Sequence, residues 1–227
     1  MKLKITLLVI SSILIIVFSA KFYHPKPAGK SVKVVKYKLP LIDHTPLTTL
    51  LKQRRSKRGF SEKPLSFKSL SAILWAAQGV TNERGFRTAP SAGGLFPLTI
   101  YVVVRNVPPL SPGLYQYDNQ NNQLLLLMKS QLSHALAKSA YNQMWMKEAP
   151  AIIVIAADYN ITAKKYGLAA KRYVHMGVGA VAENVYLQAT QLKLATTFVG
   201  GFKEDVIKKL LGIHQQPLGL MPIGLEN

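Results

Sequence analysis

Residues 86–104 read FRTAPSAGGLFPLTIYVVV, a loop of small residues followed by an apolar run. The run, Leu98–Val104, is continuously apolar and rich in β-branched residues, which predicts a strand buried inside a sheet. The loop before it contains two prolines, two glycines and one serine, and none of its side chains is obviously reactive. This loop is either a plain turn or a surface on which a flat molecule can lie against the backbone.

Patterns on both sides of this stretch predict helices and strands in irregular order. Ser66 is a typical N-cap for a helix over residues 67–78, and Gly79 is a typical stop. Upstream, the spacing from Pro46 predicts a helix that runs into residues 52–60. Downstream, the patterns predict a hairpin at 113–118 and 123–128, helices at 131–140, 174–192 and 204–211, and strands at 151–157, 195–199 and 218–223. Because strands and helices do not alternate strictly, an α+β fold is favoured over a doubly wound α/β sheet.

The composition limits the possible chemistry. The 227 residues are enough for one domain with a substantial core, and 48% of them are hydrophobic. The chain has no cysteine, which excludes disulfides, thiolate nucleophiles, cysteine–zinc sites and iron–sulfur clusters. Its five histidines are scattered without the spacing of metal ligands, so no metal site is predicted.

The formal net charge of +19 is concentrated toward the N-terminal end. Residues 21–68 contain 13 lysines and arginines, opposed only by Asp43 and Glu62. Such a basic run suits phosphate, an anionic membrane surface or nucleic acid, although a solvated linker is the simplest interpretation of residues 21–38. No aromatic and basic platform accompanies the lysines, so nucleic acid is not an expected partner.

The sequence of the N-terminal segment is typical of one that targets a chain to a membrane. In residues 1–20, Lys2 and Lys4 precede an apolar run, which is typical of a signal peptide or a signal anchor. Residues 21–45 then form a basic tether, and residues 46–227 form the globular domain. We expect an uncleaved anchor, because cleavage after Ala20 would put the bulky Phe18 at the −3 position. The positive-inside rule then places the domain on the cytoplasmic face. Export to the periplasm after cleavage is the alternative.

Two motifs that resemble known functional motifs do not fit them in their sequence context. GVGAVA, residues 177–182, matches a dinucleotide-binding fingerprint, but a helical period runs through it and no strand ends directly before it. We therefore interpret it as a helix that packs closely against a partner. Ser91 is not the nucleophile of a hydrolase elbow, because Ala89 replaces the first glycine and the strand follows the loop.

RRSKR, residues 54–58, is a candidate phosphate site. Arginine guanidinium groups and a serine hydroxyl make charge-assisted hydrogen bonds to phosphate oxygens. The other interpretation is a solvated basic end of a helix, where cations are favoured by the helix dipole. The residues alone leave both interpretations open.

Four blocks of the sequence, in this order, resemble the nitroreductase family, and in particular its SagB-type dehydrogenase branch. The blocks are RRSKRGFSEKPLS at 54–66, LWAAQGVTNERGFRTAPSAGGLFPLTIYVVV at 74–104, PGLYQYD at 112–118 and AENVYLQATQLKLATTFVGGF at 182–202. The second block is the most specific of the four. Together they cover most of residues 54–223.

The resemblance implies an α+β, nitroreductase-like fold with a central, mainly antiparallel sheet flanked by helices. It also implies a homodimer that binds FMN without a covalent bond at the subunit interface. By matching position, the implied contacts to the phosphate, ribityl chain and pyrimidine edge are Arg54, Ser56 and Arg58, with Arg55 close by and Arg87 as a further phosphate contact. The implied contacts to the isoalloxazine are Pro90, Ser91, Ala92 and Gly93 from the other subunit, with the backbone of Gly200 and Gly201 facing N5.

The implied activity is ping-pong hydride transfer from NAD(P)H or an organic donor, through FMN, to a second substrate. That substrate is a small nitro or quinone compound. The other implied reaction is azoline dehydrogenation on a peptide, in which the azoline is the organic hydride donor. No catalytic side chain is required, because the flavin carries the chemistry. The alternative is a membrane-tethered flavin-binding module without turnover. The sequence departs from the family at MPIGLEN, where Glu226 stands in place of a basic residue, so we expect weaker phosphate binding.

Overall fold

The structure of this chain is a computed structural model that describes residues 36–227, of which Ile42–Asn227 form one compact unit. The predicted targeting segment 1–20 and the tether up to residue 35 lie outside the described residues. Within the described part, no helix is both long enough and apolar enough to cross a bilayer.

The core of the molecule is a six-stranded sheet in which every neighbouring pair is antiparallel. The strands are β1 (Leu98–Val104), β2 (Gly113–Asp118), β3 (Gln123–Lys129), β4 (Ala151–Ala157), β5 (Leu194–Thr196) and β6 (Gln216–Leu225), in the spatial order β3-β2-β1-β4-β6-β5. The buried strand predicted at Leu98–Val104 is confirmed, since β1 pairs with β2 on one side and β4 on the other. Interior strands covered on both faces need apolar residues at every position, which explains their continuous runs.

Helices cover both faces of the sheet. They are α1 (Pro46–Gln53), α2 (Phe67–Gln78), α3 (Ser133–Ser139), α4 (Tyr159–Tyr166), α5 (Ala170–Gln191) and α6 (Glu204–Leu211). Alternate side chains of β1 enter two separate cores: Ile100 and Val102 join the core that includes α2 and α5, and Tyr101 and Val103 join the core of α3 and α6. The α+β class with a mainly antiparallel sheet is therefore confirmed.

Several elements end where the sequence predicts. Helix α2 begins after Ser66, whose Oγ accepts from the Ser69 amide at 3.0 Å, and it ends at Gly79. Strand β4 and helix α6 have the predicted bounds. Helix α5 begins at Ala170, four residues before the periodic pattern starts, and α4 was not predicted because much of it is exposed and it lacks a clear apolar period.

The prediction of a helix that runs into residues 52–60 is wrong beyond Gln53, where α1 ends. Arg54 has φ −53° and ψ 125°, so the chain becomes extended there. The amide of Lys57 then donates to the Thr196 carbonyl of β5 at 2.9 Å. A helix here would crowd like charges three and four residues apart, whereas the extended form separates them and gives this amide a partner in β5.

Candidate functional site

Residues 54–58 lie against the C-terminal half of α5 and the chain that follows β5. Ser56 Oγ is 2.9 Å from the hydroxyl oxygen of Tyr186. The same oxygen accepts from the Phe198 amide at 2.7 Å and lies 3.4 Å from Thr197 Oγ1. One buried tyrosine therefore links the RRSKR segment to the backbone two residues before Gly200.

The side chains of Arg54 and Ser56 share a contact with Tyr186, whereas Arg58 lies against a different residue, Trp145. Arg54 Nε is 3.9 Å from Glu183 Oε1, and its Cζ lies 5.1 Å from the centre of the Tyr186 ring. Arg58 Cζ lies 6.0 Å from the centre of the Trp145 ring. Ion pairs as exposed as that of Arg54 are weak, so this guanidinium can bind a better anionic partner.

Tyr186 lies in a positive environment. Burial alone would raise the pKa of Tyr186, but its hydrogen bonds with Ser56, Thr197 and the Phe198 amide, together with the charge of Arg54, bring this pKa below its ordinary value. The hydroxyl oxygen thus accepts from the Phe198 amide and lies near the Arg54 cation. An anionic group placed beside Arg54 would share that environment.

Gly200 and Gly201 present exposed backbone at the end of this network. A Cβ added at Gly200 would lie 3.3 Å from the Phe198 ring, and a Cβ added at Gly201 would lie 3.7 Å from the Tyr141 ring. The carbonyl of Gly201 accepts from Gln143 Nε2 at 3.4 Å. Glycine at both positions keeps this backbone open to a flat molecule.

The loop of residues 90–97 is a fixed turn. The Phe96 amide donates to Ser91 Oγ at 3.0 Å, and the Gly94 amide donates to the Ser91 carbonyl at 3.0 Å. Gly93 has φ 63°, and a Cβ there would lie 2.7 Å from the Tyr166 hydroxyl oxygen. The loop therefore requires glycine at this position for both its backbone conformation and its contact with α4.

The two sets of candidate residues lie at different parts of α5. The loop packs near Gly177, where the carbonyl oxygen of Pro90 lies 4.0 Å from the point that a Cβ on this glycine would occupy. Ser56 packs at Tyr186, nine residues further along the helix, a rise of about 13 Å. Within one chain the structure brings Arg54, Ser56 and the 200–201 backbone to one region, and it places residues 90–93 elsewhere.

Arg87 belongs to the region of the loop. Its Nη1 donates to Gln78 Oε1 at 2.9 Å, and its Cζ lies 4.5 Å from the centre of the Phe96 ring. Burial lowers the pKa of Arg87, and its buried Nε has no hydrogen-bond partner among the described residues. The next residue, Thr88, accepts through its carbonyl oxygen from Asn184 Nδ2 at 3.1 Å, so this segment also contacts α5 beside Glu183.

Arg55 lies on the other side of the extended segment. Its Nη1 donates to the carbonyl oxygens of Lys52 at 3.0 Å and Arg54 at 2.6 Å. Arg55 and Lys57 line a cavity that neither Arg54 nor Ser56 reaches. Alternation along an extended chain explains this division, since successive side chains point to opposite faces.

The GVGAVA motif agrees with its sequence interpretation. The GVGAVA stretch lies entirely inside α5, and Gly177 is where the loop approaches the helix, so the packing interpretation is confirmed. In the part of the chain that the structure describes, no cluster of three or more histidine and acidic side chains could hold a metal ion.

Sequence reasoning missed the residues that organise the site. Tyr186, Thr197 and Trp145 carry no motif of their own, and their roles follow only from contacts across the fold. A partial signal exists for Tyr186, because it adjoins Val185 on the buried face of the periodic helix.

The profile of the nitroreductase family matches residues 51–225, so the chain belongs to the nitroreductase family, a family of oxidoreductases. A relative from Methanocaldococcus jannaschii, itself a proposed nitroreductase, is 45% identical over 190 residues. The match covers 84% of this chain and 96% of that relative.

Solved structures share the fold. A proposed nitroreductase from Ralstonia eutropha matches with a TM-score of 0.71 at 28% identity, over 83% of this chain and 88% of that one. One from Anabaena variabilis gives a TM-score of 0.72 at 25% identity, over 80% of this chain but only 38% of that longer one. The NADPH:FMN oxidoreductase of Vibrio harveyi, complexed with NAD+, matches with a TM-score of 0.59 at 19% identity, over 81% of this chain and 70% of that one. At this identity the match shows a shared fold and no more.

Proposed function

We propose that this chain is an FMN-dependent oxidoreductase that passes hydride from NAD(P)H or another organic donor to a small acceptor in a ping-pong reaction. The observation that carries the proposal is the network from Arg54 and Ser56 through Tyr186 to the Phe198 amide, beside the exposed backbone of residues 200–201. Family membership and the FMN-linked name of the Vibrio harveyi neighbour support it.

The residues present fit a flavin mononucleotide. Arg54 and Ser56 supply a cation and a hydroxyl for the phosphate and ribityl chain, and Arg58 supplies a cation for the pyrimidine edge. The exposed amides of Gly200 and Gly201 can donate to the ring system. When bound, FMN supplies hydride transfer, while the chain's residues bind and orient it and favour its anionic reduced form.

The functional unit in this proposal is a homodimer in which residues 90–93 of one chain complete the site of the other. Its support is the distance along α5 between the loop and Ser56 within one chain. Close to the loop, Leu168 is fully exposed and Met176 is 63% exposed, and both line an open depression of about 690 Å³. Exposed apolar side chains beside a half-built site favour a protein partner.

The second substrate is a nitro or quinone compound, which accepts the hydride. In the other reaction, an azoline in a peptide is the hydride donor: it is oxidised to an azole as FMN is reduced, and the acceptor then reoxidises the flavin. The peptide reaction is supported by the likeness of residues 74–104 to the SagB-type branch. Gly200 and Gly201 are both exposed, which is consistent with a larger substrate beside them. Two assays separate these classes: reoxidation of the reduced flavin by a nitroaromatic compound or a quinone, and reduction of the oxidised flavin by an azoline peptide without a nicotinamide.

Anaerobic spectroscopy of the purified full-length chain tests the proposal. We expect a yellow protein whose flavin absorbance bleaches on addition of NADH or NADPH and returns with an acceptor. A yellow protein that neither nicotinamide reduces would favour another donor or a binding module without turnover. A colourless protein that cannot be reconstituted with FMN would contradict the proposal.

We also propose that residues 1–20 attach the chain to a membrane, with the domain on the cytoplasmic face. The support is the apolar sequence followed by six lysines up to Lys38. Alkaline extraction of cell membranes tests this, because an anchored chain stays in the membrane fraction. Release of a shortened chain into the periplasm would contradict it.

A further inference from the structure

A second cavity, of about 500 Å³, lies behind the RRSKR segment, on the side away from Arg54 and Ser56. We call it the basic cavity. The residues that matter for its chemistry are Lys52, Arg55, Lys57, Lys193, Thr196 and Glu226. Its size is within the range of small-molecule sites.

The basic cavity carries an excess of positive charge. Four cationic side chains line it, and Glu226 is the one carboxylate among its lining residues. Lys57 Nζ lies 2.5 Å from Glu226 Oε2, so this carboxylate forms an ion pair with one of the four cations. The others leave the cavity strongly attractive to an anion.

Thr196 provides an independent sign of a ligand. This residue is 2% exposed, it lines the cavity, and its Oγ1 has no hydrogen-bond partner among the described residues. The backbone carbonyl of the same residue accepts from the Lys57 amide, whereas the side-chain hydroxyl is unpaired. An unpaired buried hydroxyl is unfavourable, and a ligand with acceptor oxygens would satisfy it.

We propose that the basic cavity binds a phosphate-bearing anion, a phosphomonoester or a pyrophosphate. Arg55 offers a planar guanidinium that matches phosphate oxygens, Lys193 offers a flexible ammonium, and the Thr196 hydroxyl donates. Binding draws Lys57 away from Glu226. This site goes beyond the proposed function, because it lies across the extended segment from Arg54 and Ser56. Arg55 and Glu226, which the sequence relates to the FMN phosphate, line this cavity instead.

Calorimetric titration of the full chain with pyrophosphate, in excess FMN, tests the proposal. We expect binding by the unchanged protein and affinity about tenfold lower in Lys193→Asn, since a charge-assisted contact is lost. Asparagine is chosen because Lys193 has φ 55°, a left-handed conformation that asparagine tolerates. The matched control, Lys138→Asn on the exposed end of α3, keeps the full affinity.

Two further variants distinguish a binding role from a structural one. Thr196→Val removes the unpaired hydroxyl, so it raises the melting temperature without ligand while it weakens pyrophosphate binding severalfold. Glu226→Gln removes the competing carboxylate, so it tightens binding severalfold. A merely structural threonine would not produce opposite changes in stability and affinity.

A second set of binding measurements distinguishes a soluble phosphate ligand from a lipid headgroup. Pyrophosphate in solution represents soluble ligands, and vesicles of phosphatidylcholine with and without phosphatidic acid represent lipid headgroups. Binding to either that depends on Lys193 supports the proposal and assigns the source.

Three results would overturn it: no binding of either probe, equal affinity in Lys193→Asn and the control, or binding that depends on Arg54 and not on Lys193. These results leave the flavin proposal untouched, because FMN retention is measured separately on the same protein. Conversely, a chain that fails to retain FMN can still show Lys193-dependent binding of pyrophosphate.

Discussion

The two halves of the candidate site are built in different ways. At the C-terminal half of α5, Arg54 and Ser56 are arranged around the Tyr186 hydroxyl by side-chain contacts. At its N-terminal half, residues 90–97 hold their shape through left-handed glycines and backbone hydrogen bonds. One region supplies charge and the other supplies shape, and a single chain keeps them apart.

This difference predicts different sensitivities. The loop should fail when its backbone conformation is changed, whatever the charge of the new residue. The RRSKR region should fail when charge or a hydroxyl is removed, even if the backbone is unchanged. Substitutions of each kind therefore separate the two regions.

The largest effect is expected for Gly93→Val. A β-branched residue at φ 63°, with its Cβ near Tyr166, distorts the loop, and we expect FMN affinity to fall by about a hundredfold. The matched control is Gly212→Val, which is also left-handed, at φ 62°, but has open space around it. The control should lose some thermal stability and retain FMN. Equal FMN affinity in the two variants would show that the loop does not contact flavin.

Arg54→Ala is expected to weaken FMN binding by about thirtyfold, because one charge-assisted contact to an anion is lost. Fluorescence titration of the apoprotein with FMN measures this. Arg84→Ala, at an exposed arginine in a turn, serves as the control and should bind normally. If both variants bind alike, Arg54 does not hold the phosphate.

Tyr186→Phe is expected to weaken FMN binding by up to about tenfold and to lower the free energy of unfolding by about 2 kcal/mol, since the Phe198 amide and Ser56 lose their partner. Adding Ser56→Ala to this variant should have little further effect, because the pair is coupled. Tyr115→Phe removes a hydrogen bond to the Ser111 carbonyl and should affect stability alone. Additive losses for Tyr186 and Ser56 would contradict the network.

The smallest effect is a shift in tyrosine ionisation. The pKa of Tyr186 is lowered, whereas burial raises the pKa of Tyr101 and Tyr117, the latter with a further contribution from Asp118. A lowered pKa of the folded state stabilises the fold above the unfolded value of about 10, and this stabilisation is lost as the pH falls through the folded pKa. Ultraviolet titration of the folded protein should show an early phenolate transition that is absent in Tyr186→Phe. An unchanged titration curve in that variant would contradict the assignment.

The sequence predicts the scaffold well where burial is complete. Leu98–Val104 is apolar at nearly every position, and this pattern is enough to predict β1. Helix α2 is bounded by Ser66 and Gly79, and these two capping residues are enough to predict its ends. The prediction fails at residues 54–60, because a short-range helical pattern cannot show that β5 offers a backbone partner to Lys57. Tertiary pairing outweighs local propensity at that point.

The site was predicted residue by residue through resemblance, but not its arrangement. Matching positions cannot reveal that Arg55 points away from Arg54, or that Arg87 pairs with Gln78. They also cannot reveal Tyr186, whose role depends on contacts with residues 130 and 12 positions away in the chain. Such information resides in the packing of distant segments.

The central claim is that two chains complete each site, and mixed dimers test it most directly. Arg54→Ala and Gly93→Val chains are coexpressed with different tags, and the doubly tagged dimers are isolated and assayed at an FMN concentration too low for either parent to bind it and be active. In such a dimer one site carries both substitutions and the other carries neither, so about half of the normal FMN binding and reductase activity should return. If each site is built within one chain, every site keeps a damaging substitution, and the mixed dimers will stay as inactive as their parents.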